Sequence, residues 1–259
     1  MSERSVKVDI DGPIMTVTID RPGVRNAVDR VAADQLIEAF NDFDSDPALS
    51  VAILTGAAGT FCAGADLGAV SEGRGNRVSV DQTMDGPMGP TRMRLDKPVI
   101  AAVEGYAVAG GLELAIWCDL RVAASDAVFG VFCRRWGVPL VDGGTVRLPR
   151  LIGQSRAADM ILTGRAVSAE EALSFGLANR VCKPGETLTV ARQIAAQIAE
   201  FPQVCLRTDR RSSLEQWDLD HVAAMENESR LGMDALKSPE MIEAVGRFVG
   251  GEGRHGSGV

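Results

Sequence analysis

Two short stretches of the chain are built mainly from residues with little side chain. Phe61-Cys-Ala-Gly-Ala-Asp-Leu67 follows the apolar run Val51-Ala-Ile-Leu-Thr55, and Ala107-Val-Ala-Gly-Gly-Leu112 follows Val99-Ile-Ala-Ala-Val103. Small residues let a ligand approach the backbone closely. One N–H from each loop, converging on one oxygen, would make an oxyanion hole that polarises a carbonyl and stabilises the charge developing on it. The same small residues also permit tight strand–helix packing, and the sequence leaves both readings open. Three more side chains deserve weighing as acids, bases or nucleophiles. Glu113 lies three residues after Gly110, early on a helical pattern, where the helix dipole favours a carboxylate in any case. Asp142 stands in Val-Asp-Gly-Gly, a context that equally suits a turn or a helix N-cap. Cys133 precedes Arg134 and Arg135, which can lower a thiol pKa, but it also fits as a small buried filler.

The elements around these residues follow from periodicity. Val6–Ile10 and Met15–Ile19 alternate on either side of Asp11-Gly12 and read as a hairpin. Ala33, Leu36, Ile37, Phe40 and Phe43 recur at helical spacing, so residues 29–43 read as an amphipathic helix. The runs at 51–55 and 99–103 read as buried strands. Each is followed by a small-residue loop and then a helical pattern, a weak internal repeat that suggests stacked ββα turns. Residues 71–91 are polar, rich in Gly and Pro, and aperiodic; they read as a mobile surface segment, a lid or an insertion. Residues 120–123 and 127–129 read as strands and 143–152 as a helix. From Glu186 onward strand signals stop, and residues 190–198, 219–236 and 239–248 read as helices. The Gly-rich end, 250–259, reads as frayed.

Composition bounds the function classes. The 259 residues suffice for one large domain, and 46% apolar content supports a sizeable core. A formal charge of −8 argues against nucleic acid and acidic membranes as partners. The five cysteines are odd in number and lack a C-x-x-C spacing, so they read as reduced thiols. Two histidines, one of them His255 in the Gly-rich end, make metal catalysis and a Ser-His-Asp triad poor fits. No apolar stretch is long enough for a membrane span, and Met1-Ser-Glu-Arg-Ser does not resemble a signal peptide. A cytoplasmic protein is expected.

At this point longer segments become specific. Arg21-Pro-Gly-Val-Arg-Asn-Ala27, residues 61–67, Lys97–Ala115, Cys118-Asp119, Gly143-Gly-Thr-Val-Arg-Leu148 and Ala169–Val181 resemble, in order, the segments of the crotonase (enoyl-CoA hydratase/isomerase) family. The resemblance covers roughly residues 5 to 250. It implies an α/β fold, a spiral of ββα units over 1–195, and a helical C-terminal trimerisation region over 196–259. Homotrimers or dimers of trimers are the implied assembly. It implies an acyl-CoA thioester substrate and no cofactor beyond coenzyme A as part of that substrate. Ala65 and Gly110 match the oxyanion-hole donors. Arg25, Ala27, Ala63, Gly64, Asp66 and Leu67 match the coenzyme A channel, and Phe248 matches a position where the C-terminal helix approaches the coenzyme. Glu113 matches the first of two catalytic glutamates. Cys133 stands where the family's hydratases carry the second. Asp142 aligns with an acid/base aspartate of the family's dienoyl-CoA isomerases, and the family's dehalogenases carry a nucleophilic aspartate in a similar region. The implied activity is water addition to a 2-enoyl-CoA, with Glu113 orienting or deprotonating water and Asp142 assisting at the α-carbon. The alternatives are an isomerase or acyl-CoA hydrolase using Glu113 and Asp142, and a coenzyme-A-binding scaffold whose catalysis has lapsed.

Overall fold

A computed structural model describes residues 4–252; His255 and the rest of residues 253–259 lie outside it. The hairpin forms from Val6–Asp11 (β1) and Ile14–Ile19 (β2), turned at Gly12, whose φ is +55°. Asp29 caps the helix Arg30–Ser45 (α1) by accepting from the Ala32 N–H at 2.9 Å. The apolar runs become Val51–Gly56 (β3) and Val99–Val103 (β4), with the short helix Leu67–Ser71 (α2) between them. After β4 come Tyr106–Val108 (β5), Gly110–Trp117 (α3), Leu120–Ala124 (β6) and Val128–Gly130 (β7). Then follow Gly144–Ile152 (α4), Gln154–Thr163 (α5), Val167–Ser168 (β8), Ala169–Ser174 (α6) and Arg180–Cys182 (β9). The chain ends in helices Thr187–Glu200 (α7), Gln203–Glu215 (α8), His221–Leu236 (α9) and Pro239–Val249 (α10).

The main sheet runs β1-β2-β3-β4-β6-β9 and is parallel from β2 onward; a smaller sheet runs β5-β7-β8. Strands β3 and β4 are apolar on both faces because both are covered. Val51, Ile53, Ile100 and Ala102 pack with Ala191 and Ala195 of α7, while Leu54, Ala101 and Val103 join Leu36, Phe40 and Phe43 of α1 in the main core. Helix α7 is continuous across residue 195.

This arrangement is the expected α/β spiral. The chain leaves the main sheet at β4 and β6 and enters the small sheet at β5 and β7; it returns from β5 through α3, and from β7 through α4, α5, β8 of the small sheet and α6 to β9. The first loop joins the same turn: the Cys62 N–H donates to Tyr106 C=O at 2.9 Å, and the Val108 N–H donates to Cys62 C=O at 3.2 Å. The two small-residue loops therefore lie side by side. Residues 71–85 lie at the surface, as expected, whereas residues 86–91 depart from that reading. Gly86, Pro87, Met88, Gly89, Pro90 and Thr91 are buried, because this turn packs under the functional site rather than over it. The exposed part is tied down by guanidinium groups: Arg30 donates to Gly75 C=O at 2.9 Å and Arg92 to Ser79 C=O at 2.6 Å.

Candidate active site

Residues 61–67 are held by the segment 21–29. The Ala63 N–H donates to Arg25 C=O at 3.1 Å, the Val28 N–H to Gly64 C=O at 2.8 Å, and the Asp66 N–H to Val28 C=O at 3.0 Å. Arg25 and Asn26 both have φ near +55°, and buried Asn26 secures that turn by donating to Ala57 C=O (2.9 Å) and Thr60 C=O (2.6 Å). Arg21 fixes Asp66 by an ion pair at 3.0 Å, and Asp66 in turn caps α2. Arg25, Ala27, Ala63, Gly64, Asp66 and Leu67 thus form one continuous edge beside the second loop.

Gly64 has φ +102°, and a Cβ there would lie 2.9 Å from Ala109 Cβ and 3.0 Å from the Gly110 nitrogen. Only glycine allows the two loops to meet this closely. Ala109 itself has φ +53°, an unusual conformation for a residue with a Cβ, and it starts α3. Among the described residues, neither the Ala65 N–H nor the Gly110 N–H donates to a protein acceptor. The Ala65 N–H faces away from the bridge its neighbours form with Val28. The Gly110 N–H is the first of α3, where the helix dipole adds to the donor.

Behind this pair of donors stand two buried carboxyl groups. Glu113 is 2% exposed; its Oε1 accepts from the Asp142 N–H at 2.9 Å and the Gly144 N–H at 2.8 Å. A Cβ on Gly144 would crowd that same Oε1 at 2.9 Å, so glycine there makes room for the carboxylate. Asp142 is 4% exposed and does not cap α4; Gly143 holds the cap position. Instead its Oδ1 accepts from the Met88 N–H at 2.8 Å and from the Thr91 hydroxyl. Met88 closes the chain of contacts, because its sulfur lies where a Cβ on Gly110 would come within 2.7 Å. Gly64, Gly110, Met88, Asp142 and Glu113 are therefore successive neighbours.

Burial, and next the charge of Asp142, pushes Glu113 up to about 7; the two backbone N–H groups oppose this. Burial also raises Asp142, opposed by the Thr91 hydroxyl, the Met88 N–H, Arg92 and Arg147. The Cys133 thiol is raised by burial and by the nearby Glu113 charge. The Arg134 charge opposes this but ranks below burial and Glu113; Arg134 itself donates to Ile161 C=O at 3.1 Å and Arg135 to Gly164 C=O at 3.0 Å. Of the two readings open from the sequence, the buried filler is the one this environment favours: Cys133 is 8% exposed and its thiol is held in the neutral form beside Glu113.

Of the residues singled out in the sequence, Ala65, Gly110, Glu113 and Asp142 converge. Phe248 does not; it is exposed on α10, which packs on α8 and α9. Sequence reading missed Met88, Thr91 and Arg147. Arg147 donates to Asp142 C=O at 2.9 Å and to Thr91 C=O at 2.7 Å, joining two segments 51 residues apart. The only signal for Met88 was a lone apolar residue inside Gly86-Pro-Met-Gly89.

The family model described as enoyl-CoA hydratase/isomerase matches residues 9–252. The enoyl-CoA hydratase EchA19 of Mycobacterium tuberculosis is 35% identical over 249 residues, spanning 93% of this chain and 92% of that protein. A carnitinyl-CoA dehydratase of Salmonella arizonae is 40% identical over 225 residues, 83% of this chain and 85% of that protein. The crystal structure of enoyl-CoA hydratase EchA1 from Mycobacterium marinum superposes with a TM-score of 0.90 at 35% identity, covering 96% of both chains. With a matching fold and near full-length similarity, this chain belongs to the enoyl-CoA hydratase/isomerase family.

Proposed function

We propose that the protein is a lyase that adds water to a 2-enoyl-CoA thioester. The observation that carries this reading is the contiguity of two unengaged backbone N–H groups with a buried pair of carboxyl groups. The Ala65 and Gly110 N–H groups would hold the thioester oxygen and stabilise the enolate formed when C3 is attacked. Removing one such donor typically costs roughly 3 kcal/mol of barrier. Glu113 and Asp142, each with one oxygen fixed by the scaffold, would act as one acid and one base holding a single proton between them. The edge made by Arg25, Ala27, Ala63, Gly64, Asp66 and Leu67 would line the coenzyme channel, with no cofactor beyond the coenzyme A of the substrate. Phe248 would close on it from the C-terminal region, residues 196–259, within a homotrimer or a dimer of trimers. No helix of the described residues is long and apolar enough to cross a membrane, which is compatible with cytoplasmic work.

Cys133 favours a second reading. A neutral thiol cannot grip a water as the family's second glutamate would, so the same pair is also suited to moving a double bond. A scaffold without catalysis has less support, since burying two adjacent carboxyl groups is costly without a use for them. The deciding experiment is product analysis over a panel of 2-enoyl- and dienoyl-CoA thioesters. Formation of 3-hydroxyacyl-CoA supports the lyase; a shifted double bond without added oxygen replaces it with the isomerase; binding without conversion contradicts both.

A further inference from the structure

A carboxylate pair that shares one proton works in a direction set by where that proton rests. The surroundings of the two groups differ. Glu113 receives only backbone donors, from Asp142 and Gly144. Asp142 receives one backbone donor, from Met88, and one side-chain donor, the Thr91 hydroxyl. The two Asp142 donors come from adjoining turns, Met88 from the one closed by Gly86 and Gly89 and Thr91 from the 3-10 turn Pro90–Arg92 that follows it. Gly86 and Gly89 exchange backbone hydrogen bonds at 3.1 and 2.9 Å, and Gly89 adopts φ +94°. A Cβ on Gly86 would collide with Thr91 Oγ1 and lie 3.2 Å from Asp142 Oδ1. Thr91 is 1% exposed, and Arg147 fixes its carbonyl together with that of Asp142.

The charges point the same way. Asp142 is faced by Glu113 of α3, by Arg147 of α4 and by Arg92, which follows Thr91. Glu113 is faced by Asp142, by Arg147 and by the neutral Cys133. A donor to a carboxylate oxygen favours the ionised form whether it is a hydroxyl or an N–H, and each carboxyl group has two; Asp142 differs in facing Arg92 as well as Arg147. Because Asp142 Oδ1 already accepts the Met88 N–H, it is an acceptor, and Thr91 must be the donor.

We infer that Thr91 is a positioning residue whose hydroxyl keeps Asp142 the ionised member of the pair, so that the shared proton rests on Glu113. This rests on the reading that both carboxyl groups serve the reaction. It reverses the roles expected from the sequence. In hydration, Asp142 takes a proton from water as the oxygen bonds to C3, and Glu113 delivers its proton to C2. The products are the 3-hydroxyacyl thioester, protonated Asp142 and ionised Glu113, and one proton transfer between the two carboxyl groups resets the site.

The test is the pH dependence of kcat/KM for the best-converted thioester, with natural protein, Thr91→Val, Thr91→Ser, Gly86→Ala and Asp142→Asn. Thr91→Val should move the acid limb upward by about one pH unit and leave the basic limb in place, because Asp142 loses its proton first. Thr91→Ser, which keeps the hydroxyl, should restore the natural limb. Gly86→Ala, which displaces the hydroxyl without deleting it, should reproduce the shift, and it stands in if Thr91→Val does not fold. An unmoved acid limb, a shift of the basic limb instead, or failure of Thr91→Ser to rescue would overturn the inference. Should Asp142→Asn keep natural turnover, the two-carboxyl reading itself falls; a loss in Asp142→Asn with an unmoved limb in Thr91→Val sinks only the role of Thr91.

Discussion

Glu113 places an ionisable side chain almost wholly inside the protein, at 2% exposure. Its pKa of about 7, against an ordinary 4.5, means the folded protein binds a proton that the unfolded chain has released. The sign follows: stability contributed by this group is present below about pH 4.5 and is lost as pH rises toward 7. The full loss is on the order of 3 kcal/mol. Glutamine keeps an oxygen for the Asp142 and Gly144 N–H groups and removes the charge. Glu113→Gln should therefore melt higher than the natural protein at pH 8, with a smaller gain at pH 5, while turnover falls by about a hundredfold or more. Thermal denaturation at the two pH values, beside a turnover assay, checks both halves. Cys133 makes the complementary residue-scale prediction. Cys133→Glu should raise hydration if the site has hydratase geometry, at some loss of stability, since a third carboxyl group would join Glu113 and Asp142 in one buried space.

At the scale of elements, the two loops and the 86–91 turn are the parts on which the site depends. Gly64→Ala introduces a methyl 3.0 Å from the Gly110 nitrogen, at a φ that side chains rarely adopt. It should lower turnover by roughly a hundredfold by spreading the two donors, with the helices of the circular dichroism spectrum intact. Arg147→Met should destabilise by about 2–4 kcal/mol, since two buried carbonyls lose their donor, and hydrogen exchange should speed up at residues 86–91. Strands β3 and β4 and helix α1 were legible because each buries its own pattern of apolar residues, and the hairpin was legible from its alternation around Gly12, although Val8 and Ile10 of β1 stay exposed. Helix α8 was not, because Arg207, Asp209, Arg210 and Arg211 break up its apolar face. Strands β8 and β9 are too short to show a period. The turn at 86–91 looks like a surface loop in one dimension; its contacts with Asp142, more than fifty residues on, with Gly110 and with Ala33 and Leu36 of α1 make it interior. Gly110, Glu113 and Asp142 were found through motif resemblance; their partners on that turn had no local signature.

At the scale of the whole molecule, the described C-terminal helices carry several uncovered apolar side chains. Leu214, Trp217, Val222, Met225, Met233 and Ile242 are exposed on the C-terminal helices, and a groove of about 630 Å³ runs along α9. Exposed apolar side chains of this kind fit the subunit interface proposed above. The proposed homotrimer or its dimer should sediment at three or six times 27.4 kDa, and Met225→Glu with Met233→Glu should release smaller species. The central claim, however, concerns chemistry rather than assembly: a backbone donor pair holds an acyl-CoA thioester against two buried carboxyl groups that act together. The most direct measurement is the turnover of crotonyl-CoA and longer 2-enoyl-CoA thioesters by the natural protein and by Asp142→Asn, with binding followed in parallel by calorimetry. Slow but definite formation of 3-hydroxyacyl-CoA by the natural protein, lost by about a hundredfold in Asp142→Asn with binding retained, is the predicted result. Rapid hydration that Asp142→Asn leaves untouched would contradict the account.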